Sequence, residues 1–233
     1  MKISLRIICC MVLALSAAPL AAAERGYSVP DFERIRVSGP YRVEVVTDRS
    51  TVVKATGSTQ ALDRVIIEVQ GRTLLIRPNR TGWAGAGVMD APPALIFVRA
   101  PALREAFIAG SGALSLTGLK GLRVVLGVEG AGTLTANGVA ADRLDIGVIG
   151  TGRLIASGTA RQATVTSRGA AAVEAARLTV DDLSVTWESA ADGAFSARRT
   201  ARANSVGAGN VVIAGAAACT VNALGDGSVE CGR

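Results

Sequence analysis

The stretch Leu122–Gly138, LRVVLGVEGAGTLTANG, carries the pattern that decides the fold. Apolar and small residues alternate on both sides of a tight Gly-x-Gly turn, as in two short strands that meet at a corner. The turn recurs along the chain at intervals of 20, 20, 19, 20, 18 and 18 residues. This period is typical of a stacked array, because one repeat of this size cannot bury a core alone. Gly130 of this stretch corresponds to Gly110, Gly150, Gly169, Ser189, Gly207 and Gly225.

The repeats place like residues in columns. Counted from the first residue of each turn, the positions two, four and six before it and four and six after it are mostly apolar. Side chains of one parity point to one face of a strand, so these columns are predicted to fill the interior. The columns predict an all-β, right-handed parallel β-helix with coils of about 18–20 residues, since parallel crossovers are strongly right-handed.

Glycines at the corners are predicted to supply backbone angles that other residues adopt only with strain. Where glycine is replaced, at Ala171, Ser189 and Ala191, the corners are predicted to be looser. The predicted structural turns are Gly110 with Gly112, Gly130 with Gly132, Gly150 with Gly152, Gly207 with Gly209, and Gly225 with Gly227.

The pattern divides the chain into a leader segment and one domain. Residues 1–23 have a basic start, an apolar run and the small-residue end Ala21-Ala22-Ala23, which together predict a cleaved signal peptide. Residues 24–31 are predicted to be a short leader and 32–233 a single domain. Within it, 32–93 hold short strands, one helical turn at 61–64 and a loop containing Trp83, and 94–233 hold seven Gly-x-Gly coils. The signal peptide predicts a periplasmic or extracellular location, with no transmembrane segment after its removal.

The composition excludes several kinds of catalytic site. The chain has no histidine, which removes Ser–His and Cys–His nucleophile pairs and every metal site that uses histidine. Carboxylate pairs of the kind that glycosidases use remain, but charged residues at corners are usually solvated. We therefore predict a non-enzyme with no catalytic residue, no metal and no cofactor. The pairs considered are Asp181 with Asp182, Asp142 with Asp145, and Glu188 with Asp192.

The formal net charge of +6 is mildly basic for 233 residues. Arginines crowd into the later repeats, where they form either a patch for an anionic glycan or lipopolysaccharide, or ordinary solvated charges. The second interpretation is favoured. Nucleic acid is not an expected partner, because aromatic residues are not interleaved with the basic ones. The arginines are Arg161, Arg168, Arg177, Arg198, Arg199 and Arg202.

Two further positions stand out in the columns. Trp187 falls in an interior column and is predicted to be core. Cys219 and Cys231, six residues before and after Gly225, fall in interior columns at matching depth. In an oxidising compartment they are predicted to form a disulfide that ties off the C-terminal end of the rod.

Several motifs of the chain resemble those of a known family. Phe32-x-x-Ile35-x-Val37-x-Gly39, the strand Gly71…Leu74-x-Ile76 and the serial Gly-x-Gly turns are similar to the putative auto-transporter adhesin head domain, the GIN domain. The resemblance runs from about Phe32 to the C-terminus. It implies a right-handed β-helix, shaped like pectin lyases, with a suggested role in adhesion and no established catalytic site.

Function is predicted from the outward positions, which are small or polar. Thr164, Thr166, Ser184 and Thr186 form the candidate ligand face of an exported binding or adhesion module, with a glycan or another cell-envelope component as partner. Two alternatives stay open: a polysaccharide lyase or hydrolase on the same shape, and a structural or self-assembling envelope protein. The sequence names neither the ligand nor the pathway, and it leaves homo-oligomerisation open.

Overall fold

The computed structural model of the protein describes residues 23–79 and 92–232. These residues form 17 β-strands and one short helix, so the all-β prediction is confirmed. Most of the predicted signal peptide, and Trp83 in its loop, lie outside the described residues.

The N-terminal part contains seven strands and the helix. The helix begins after Ser58, whose Oγ accepts a hydrogen bond of 3.1 Å from the backbone N–H of Ala61, and it coincides with the predicted helical turn. The elements are β1 Ala23–Tyr27, β2 Arg34–Ser38, β3 Arg42–Thr47, β4 Val52–Gly57, α1 Thr59–Asp63, β5 Val65–Gln70, β6 Thr73–Pro78 and β7 Leu95–Ala100.

The repeats form the remaining strands, several of which bend at a corner and continue. All of their pairings are parallel. They are β8 Glu105–Gly110, β9 Ala113–Thr117, β10 Lys120–Gly130, β11 Thr133–Gly150, β12 Arg153–Gly169, β13 Ala172–Ser189, β14 Gly193–Ser205, β15 Val211–Ala214, β16 Ala218–Ala223 and β17 Val229–Cys231.

The coils stack into three sides. Sheet A holds the segments before each corner, 105–109, 124–129, 144–149, 163–168, 183–188, 201–206 and 218–223. Sheet B holds those after it, 113–117, 133–137, 153–157, 172–176, 193–196, 211–214 and 229–231. A narrow third side runs through 139–141, 158–160 and 178–180. This is the predicted parallel β-helix.

The register reproduces the repeat read from the sequence. Gly110, Gly130, Gly150, Gly169 and Ser189 are paired in turn across the strands, and the later coils continue the ladder with steps of 18 residues. Seven corners therefore bound six full turns. Neighbouring coils lie about 4.8 Å apart, as in any β-sheet.

The interior columns form one continuous core. Leu126, Ile146, Val165 and Val185 follow each other up the inside of sheet A, and each is buried. Leu114, Leu134 and Leu154 do the same in sheet B. Outward positions alternate with them along every strand, and in the later coils of sheet A they are mostly polar.

The stack begins earlier in the chain than predicted. Strand β2 pairs with β8, strand β3 pairs with β9, and the corner between them, Gly39, donates its N–H to the carbonyl of Ala109. Residues 34–47 therefore form a coil on top of the repeats, although 71 residues separate Gly39 from the next corner at Gly110. The period is invisible there because β4 to β7 and α1 are inserted between two stacked coils.

Residues 24–31 are also more than a leader. Residues 23–27 form β1, which pairs antiparallel with β4, and Arg25 forms an ion pair of 2.8 Å with Asp63 beside helix α1. Strand β4 pairs antiparallel with β7, so β1 extends the N-terminal end of sheet B. An isolated segment of five residues gives no repeat signal, which is why the sequence did not predict this strand.

Corner glycines are needed for two different reasons. Gly150 has φ of +113°, and a Cβ there would lie 2.6 Å from the carbonyl oxygen of Gly130. Gly209 has an ordinary φ, but a Cβ there would collide with the carbonyl oxygen of Ala191 in the coil before it. The first glycine of the last two corners, at Gly207 and Gly225, likewise has no positive φ. The prediction of unusual backbone angles therefore holds for the earlier corners, and close coil-to-coil approach explains the later ones.

The corners without glycine, which were predicted to be looser, are crossed by side-chain hydrogen bonds. The hydroxyls of Ser167 and Ser189 both donate to the carbonyl of Ala171, at 3.1 and 2.8 Å. Ser189 Oγ also accepts from the N–H of Ala191 at 3.2 Å, and Trp187 Nε1 donates to the Ala191 carbonyl at 3.0 Å. Side-chain hydrogen bonds therefore fasten these corners, since buried hydroxyls need partners.

The final coil is bridged by the predicted disulfide. Cys219 and Cys231 are bonded, with their Cα atoms 6.3 Å apart. Their predicted burial at matching depth is wrong, because Cys219 is exposed and Cys231 is half-buried. Within the described chain no further coil stacks on β16 and β17, so the inner faces of these strands meet solvent.

Helix α1 is only five residues long. In the described parts of the chain, no helix has the length and apolar character needed to cross a membrane.

Candidate ligand-binding face

The four predicted ligand residues lie side by side on the outer surface of sheet A. Thr164 is directly opposite Ser184, and Thr166 is directly opposite Thr186. Val165 and Val185 between them are buried, which fixes the hydroxyls on the outside. The result is a two-by-two array with about 4.8 Å between coils.

The polar columns continue beyond these four residues. In the next coil, Arg202 pairs with Ser184 and Asn204 pairs with Thr186, and the last coil adds Thr220 and Asn222. The alternation in the sequence already marked Arg202 and Asn204 as outward-facing. We call the surface formed by Thr164, Thr166, Ser184, Thr186, Arg202 and Asn204 the polar face.

Ion pairs between side chains of the protein lie on both sides of the polar face. Arg168 Nε lies 3.0 Å from Glu188 on one side. On the other side Asp182 accepts hydrogen bonds from Arg199 and, at 2.8 Å, from the hydroxyl of Thr200. These hydrogen bonds, first that from Arg199, lower the pKa of Asp182, and the pKa of Arg199 is raised mainly by the same contact. The flanking charges are thus largely satisfied within the protein.

The six arginines that crowd into the later repeats fall into two sets in the structure, those with an ion pair and those without one. Four of them pair with carboxylates: Arg161 with Asp142, Arg168 with Glu188, Arg198 with Asp181, and Arg199 with Asp182. Within the described residues, Arg177 and Arg202 have no carboxylate at ion-pair distance. Arg202 lies on the polar face, whereas Arg177 lies opposite Ser157 at the far end of sheet B.

The ion pairs at one corner follow from the register. At the corner that leads into sheet A, one column holds side chains whose charge alternates between negative and positive from coil to coil. Its members are Asp142, Arg161, Asp181 and Arg198. Opposite charges directly across neighbouring strands stabilise the pairing. This column accounts for two of the six arginines of the predicted patch, Arg161 and Arg198, as structural charge.

The carboxylate pairs considered as catalytic candidates are engaged in the same way. Asp145 contacts Arg123 at 2.7 Å and Arg143 at 3.4 Å. Asp192 accepts the backbone N–H of Asn210 at 2.9 Å. Among the described residues, no group of three or more Cys, Asp or Glu side chains is arranged to hold a metal ion.

A concave region lies on sheet B. Its floor consists of small residues such as Ala172 and Ala194, and the ion pair between Arg153 and Glu174 lies along it. Asn210 Oδ1 accepts from the hydroxyl of Ser228 at 2.8 Å, so the polar groups on its rim are bonded to one another. This groove is an alternative ligand-binding surface, and experiments on the polar face can use it for comparison.

Trp187, the aromatic residue that falls in an interior column, is fully buried. Its ring packs edge-on against Phe195, with 5.9 Å between centroids. The prediction that it belongs to the core is confirmed. Phe107 is a partly exposed aromatic residue on sheet A, where its ring covers Gly127 and lies 5.5 Å from the Arg36 guanidinium.

These features define the class of protein: a parallel β-helix whose inside is apolar and whose outer sheet A carries in-register hydroxyl and amide side chains. The chain belongs to the family described as "Putative auto-transporter adhesin, head GIN domain", which matches residues 31–217. The resemblance read from the sequence is thereby confirmed. The last coil, including the disulfide, lies beyond the matched residues.

Solved structures share the fold. A putative adhesin from Bacteroides fragilis has a TM-score of 0.82 at 18% identity, covering 91% of this chain and 97% of that one. A putative adhesin from Parabacteroides distasonis has a TM-score of 0.67 at 20% identity, covering 91% and 98%. A putative lipid binding protein from the same organism has a TM-score of 0.68 at 18% identity, covering 91% and 97%. No curated protein matches the chain.

Proposed function

We propose that the protein is an exported, non-enzymatic binding module of the cell envelope and that the polar face is its contact surface. The observation that carries the proposal is the register of Thr164 with Ser184 and of Thr166 with Thr186 on one rigid outer sheet. Hydroxyl groups both donate and accept, so such an array complements the hydroxyls of a glycan. The order of the sheet removes most of the entropy cost of arranging these groups.

The state of the carboxylates supports a role in binding rather than in catalysis. General acid–base chemistry needs a carboxyl group whose pKa is near the working pH and which can reach a substrate. Asp182 has its pKa lowered by Arg199, and the carboxyl groups of Asp142, Asp181 and Glu188 contact arginines. Assays on pectate, alginate and glycosaminoglycans, with and without calcium, test the lyase or hydrolase alternative, and product formation on any of them would establish it.

Location follows from the proposed signal peptide at residues 1–23 and from the family. The family's description as an adhesin head agrees with a position outside the cytoplasm, and an oxidising periplasmic or extracellular position also suits the disulfide. The expected partner is a glycan or another component of the envelope surface.

Binding to isolated envelope fractions and to glycan arrays tests the proposal. The variant Thr166→Ile/Thr186→Ile removes two hydroxyls and adds bulk while keeping β-branched side chains. Thr133→Ile/Thr135→Ile makes the same change on the outside of sheet B. We expect binding by the wild type, at least a tenfold loss in the first variant and little change in the second. Absence of binding to every envelope material would contradict the proposed function, and equal loss in both variants would contradict the assigned face.

Self-assembly is a second candidate because of one observation at the C-terminal end. Strand β16 pairs only with β14 among the described strands, and Val221 and Leu224 are 43% and 75% exposed. An unprotected strand edge is a template for pairing with another chain. Light scattering of the purified protein would show a dimer that Val221→Lys disperses if this candidate is correct, and a monomer at all concentrations if it is not.

A further inference from the structure

We infer that the polar face takes a carboxylate-bearing linear polysaccharide and that Arg202 is the residue that binds the carboxylate. This inference rests on the proposed function and narrows its ligand to one chemical class. It starts from the position of Arg202. This residue follows Thr164 and Ser184 in one outward column, and Thr186 and Asn204 form the column beside it.

Arg202 forms no ion pair within the described structure, although its charge adds to the lowering of the Asp182 pKa. Asp182, on the neighbouring strand opposite Thr200, is bonded to Arg199 and to the hydroxyl of Thr200. On the other side of the polar face, Glu188 is paired with Arg168. Both flanking carboxylates therefore have their own cations, and Arg202 is left exposed beside neutral hydroxyl and amide groups.

The mixture of groups favours a sparsely charged ligand. One guanidinium among Ser184, Thr186 and Asn204 can bind one carboxylate through two parallel hydrogen bonds. The neutral groups can bind the sugar hydroxyls on either side of that carboxylate. A surface dense in phosphate would instead require several unpaired cations. Arg177, the other arginine without an ion pair among the described residues of the repeats, lies at the edge of a different sheet.

The geometry also favours a linear polymer. The columns of the polar face run along the axis of the rod, and polar side chains recur in the four successive coils from Thr164 and Thr166 to Thr220 and Asn222. A chain of sugar residues laid along the axis meets a new row of side chains at regular steps. Towards the N-terminal end, the column of Thr166 and Thr186 continues to Gly147, where a Cβ would meet no atom within 4 Å. The next residue of that column, Gly127, is covered by the Phe107 ring, so the polar face ends there.

Polygalacturonate and its fully methyl-esterified form test the inference, because they share a backbone and differ only in the carboxylate. Binding of both polymers is measured at low ionic strength with the purified mature protein. The variants are Arg202→Gln, Arg202→Lys and the control Arg177→Gln, with melting temperatures to confirm folding. We expect the wild type to prefer the acid form about tenfold, the effect of one charge-assisted pair. Arg202→Gln should remove that preference, Arg202→Lys should restore part of it, and Arg177→Gln should leave it unchanged.

Several results would overturn the inference. Equal binding of acid and ester by the wild type, or equal losses in Arg202→Gln and Arg177→Gln, would do so while leaving the proposed function intact. Vesicles of anionic phospholipid that bind more tightly than polygalacturonate, with the same dependence on Arg202, would show a lipid surface as the ligand instead. Failure to bind either polymer would also end the inference, and the envelope fractions would then decide the proposed function separately.

Discussion

The indole of Trp187 occupies the space that a side chain at Gly193 would need. A Cβ on Gly193 would lie 2.8 Å from Trp187 Cη2 and 2.9 Å from Phe195 Cε2. The coils before and after Trp187 place Ser167 and Ser205 in the same column, and both are small and buried. One large residue is therefore accommodated by three small neighbours, and the core stays filled.

This relationship predicts a coupled pair of mutations. Gly193→Ala should destabilise the protein by about 1–3 kcal/mol, because the added methyl group overpacks the core. Trp187→Leu leaves a cavity but makes room at position 193, so the double variant should lose less stability than the sum of the single variants. Denaturant unfolding of the four proteins measures the coupling. Strict additivity would show that the two residues do not share this space.

The two serines beside Trp187 should respond differently to alanine. Ser167 Oγ donates to the Ala171 carbonyl, so Ser167→Ala should cost about 1 kcal/mol. Ser205 Oγ is buried and has no hydrogen-bond partner among the described residues, so Ser205→Ala should be neutral or stabilising. The two variants delete the same atom from the same column. Equal melting temperatures for the two would contradict this difference.

Glycine replacements give a second matched comparison. Gly150→Ala should destabilise the protein strongly, because the backbone is left-handed at this position and the methyl group would press on the Gly130 carbonyl. Gly147→Ala, three residues earlier, adds its methyl group to open space and should be tolerated. Thermal melts of both variants check this. A melting temperature for Gly147→Ala as low as that for Gly150→Ala would show that the corner is not the sensitive element.

These cases show what the sequence alone could predict. The columns of Leu126 and Leu134, the corners and the Cys219–Cys231 pair follow from a fixed period, because in-register stacking repeats one local environment. The coil at Gly39 was not predicted, since a long insertion separates stacked neighbours. The packing of Trp187 against Gly193 was also not predicted from the sequence, because it depends on how one side chain fills the space across the coil.

Part of the candidate site could likewise be predicted from the sequence, and part of it could not. Alternation placed Thr166, Thr186 and Asn204 on the outside without any knowledge of three-dimensional structure. Which arginines are paired was not visible, because long side chains reach across coils to carboxylates 17 to 22 residues away. The separation of Arg202 from Arg198 and Arg199 therefore required the structure.

The disulfide should protect the final coil. The bond between Cys219 and Cys231 closes a short loop, and its removal should cost about 2–4 kcal/mol. Cys219→Ser/Cys231→Ser should lower the melting temperature and speed amide exchange in β16 and β17, while β11 and β12 stay protected. Mass spectrometry after alkylation without reductant provides the first check. Two added labels on the wild type would show free thiols, and unchanged exchange in the variant would remove the role of the bond as an end cap.

The Asp182–Arg199 contact predicts a pH effect with a definite sign. Arg199 lowers the pKa of Asp182 in the folded protein, so the contact stabilises the fold above the unfolded-state pKa. That contribution should be lost as the pH falls through the folded-state pKa, and salt should weaken it because both groups are exposed. A carboxyl NMR titration should show a higher Asp182 pKa in Arg199→Gln and no change in the control Arg161→Gln. The same pKa in all three proteins would contradict the assignment.

Amide hydrogen exchange of the protein with and without bound envelope polysaccharide tests the central claim most directly, because it reports where the ligand lies. We predict added protection in the sheet A segments 163–168, 183–188 and 201–206, with little change in the sheet B segments 153–157, 172–176 and 193–196. Protection confined to the sheet B segments, or to the final coil at 218–231, would contradict the assignment of the polar face as the binding surface.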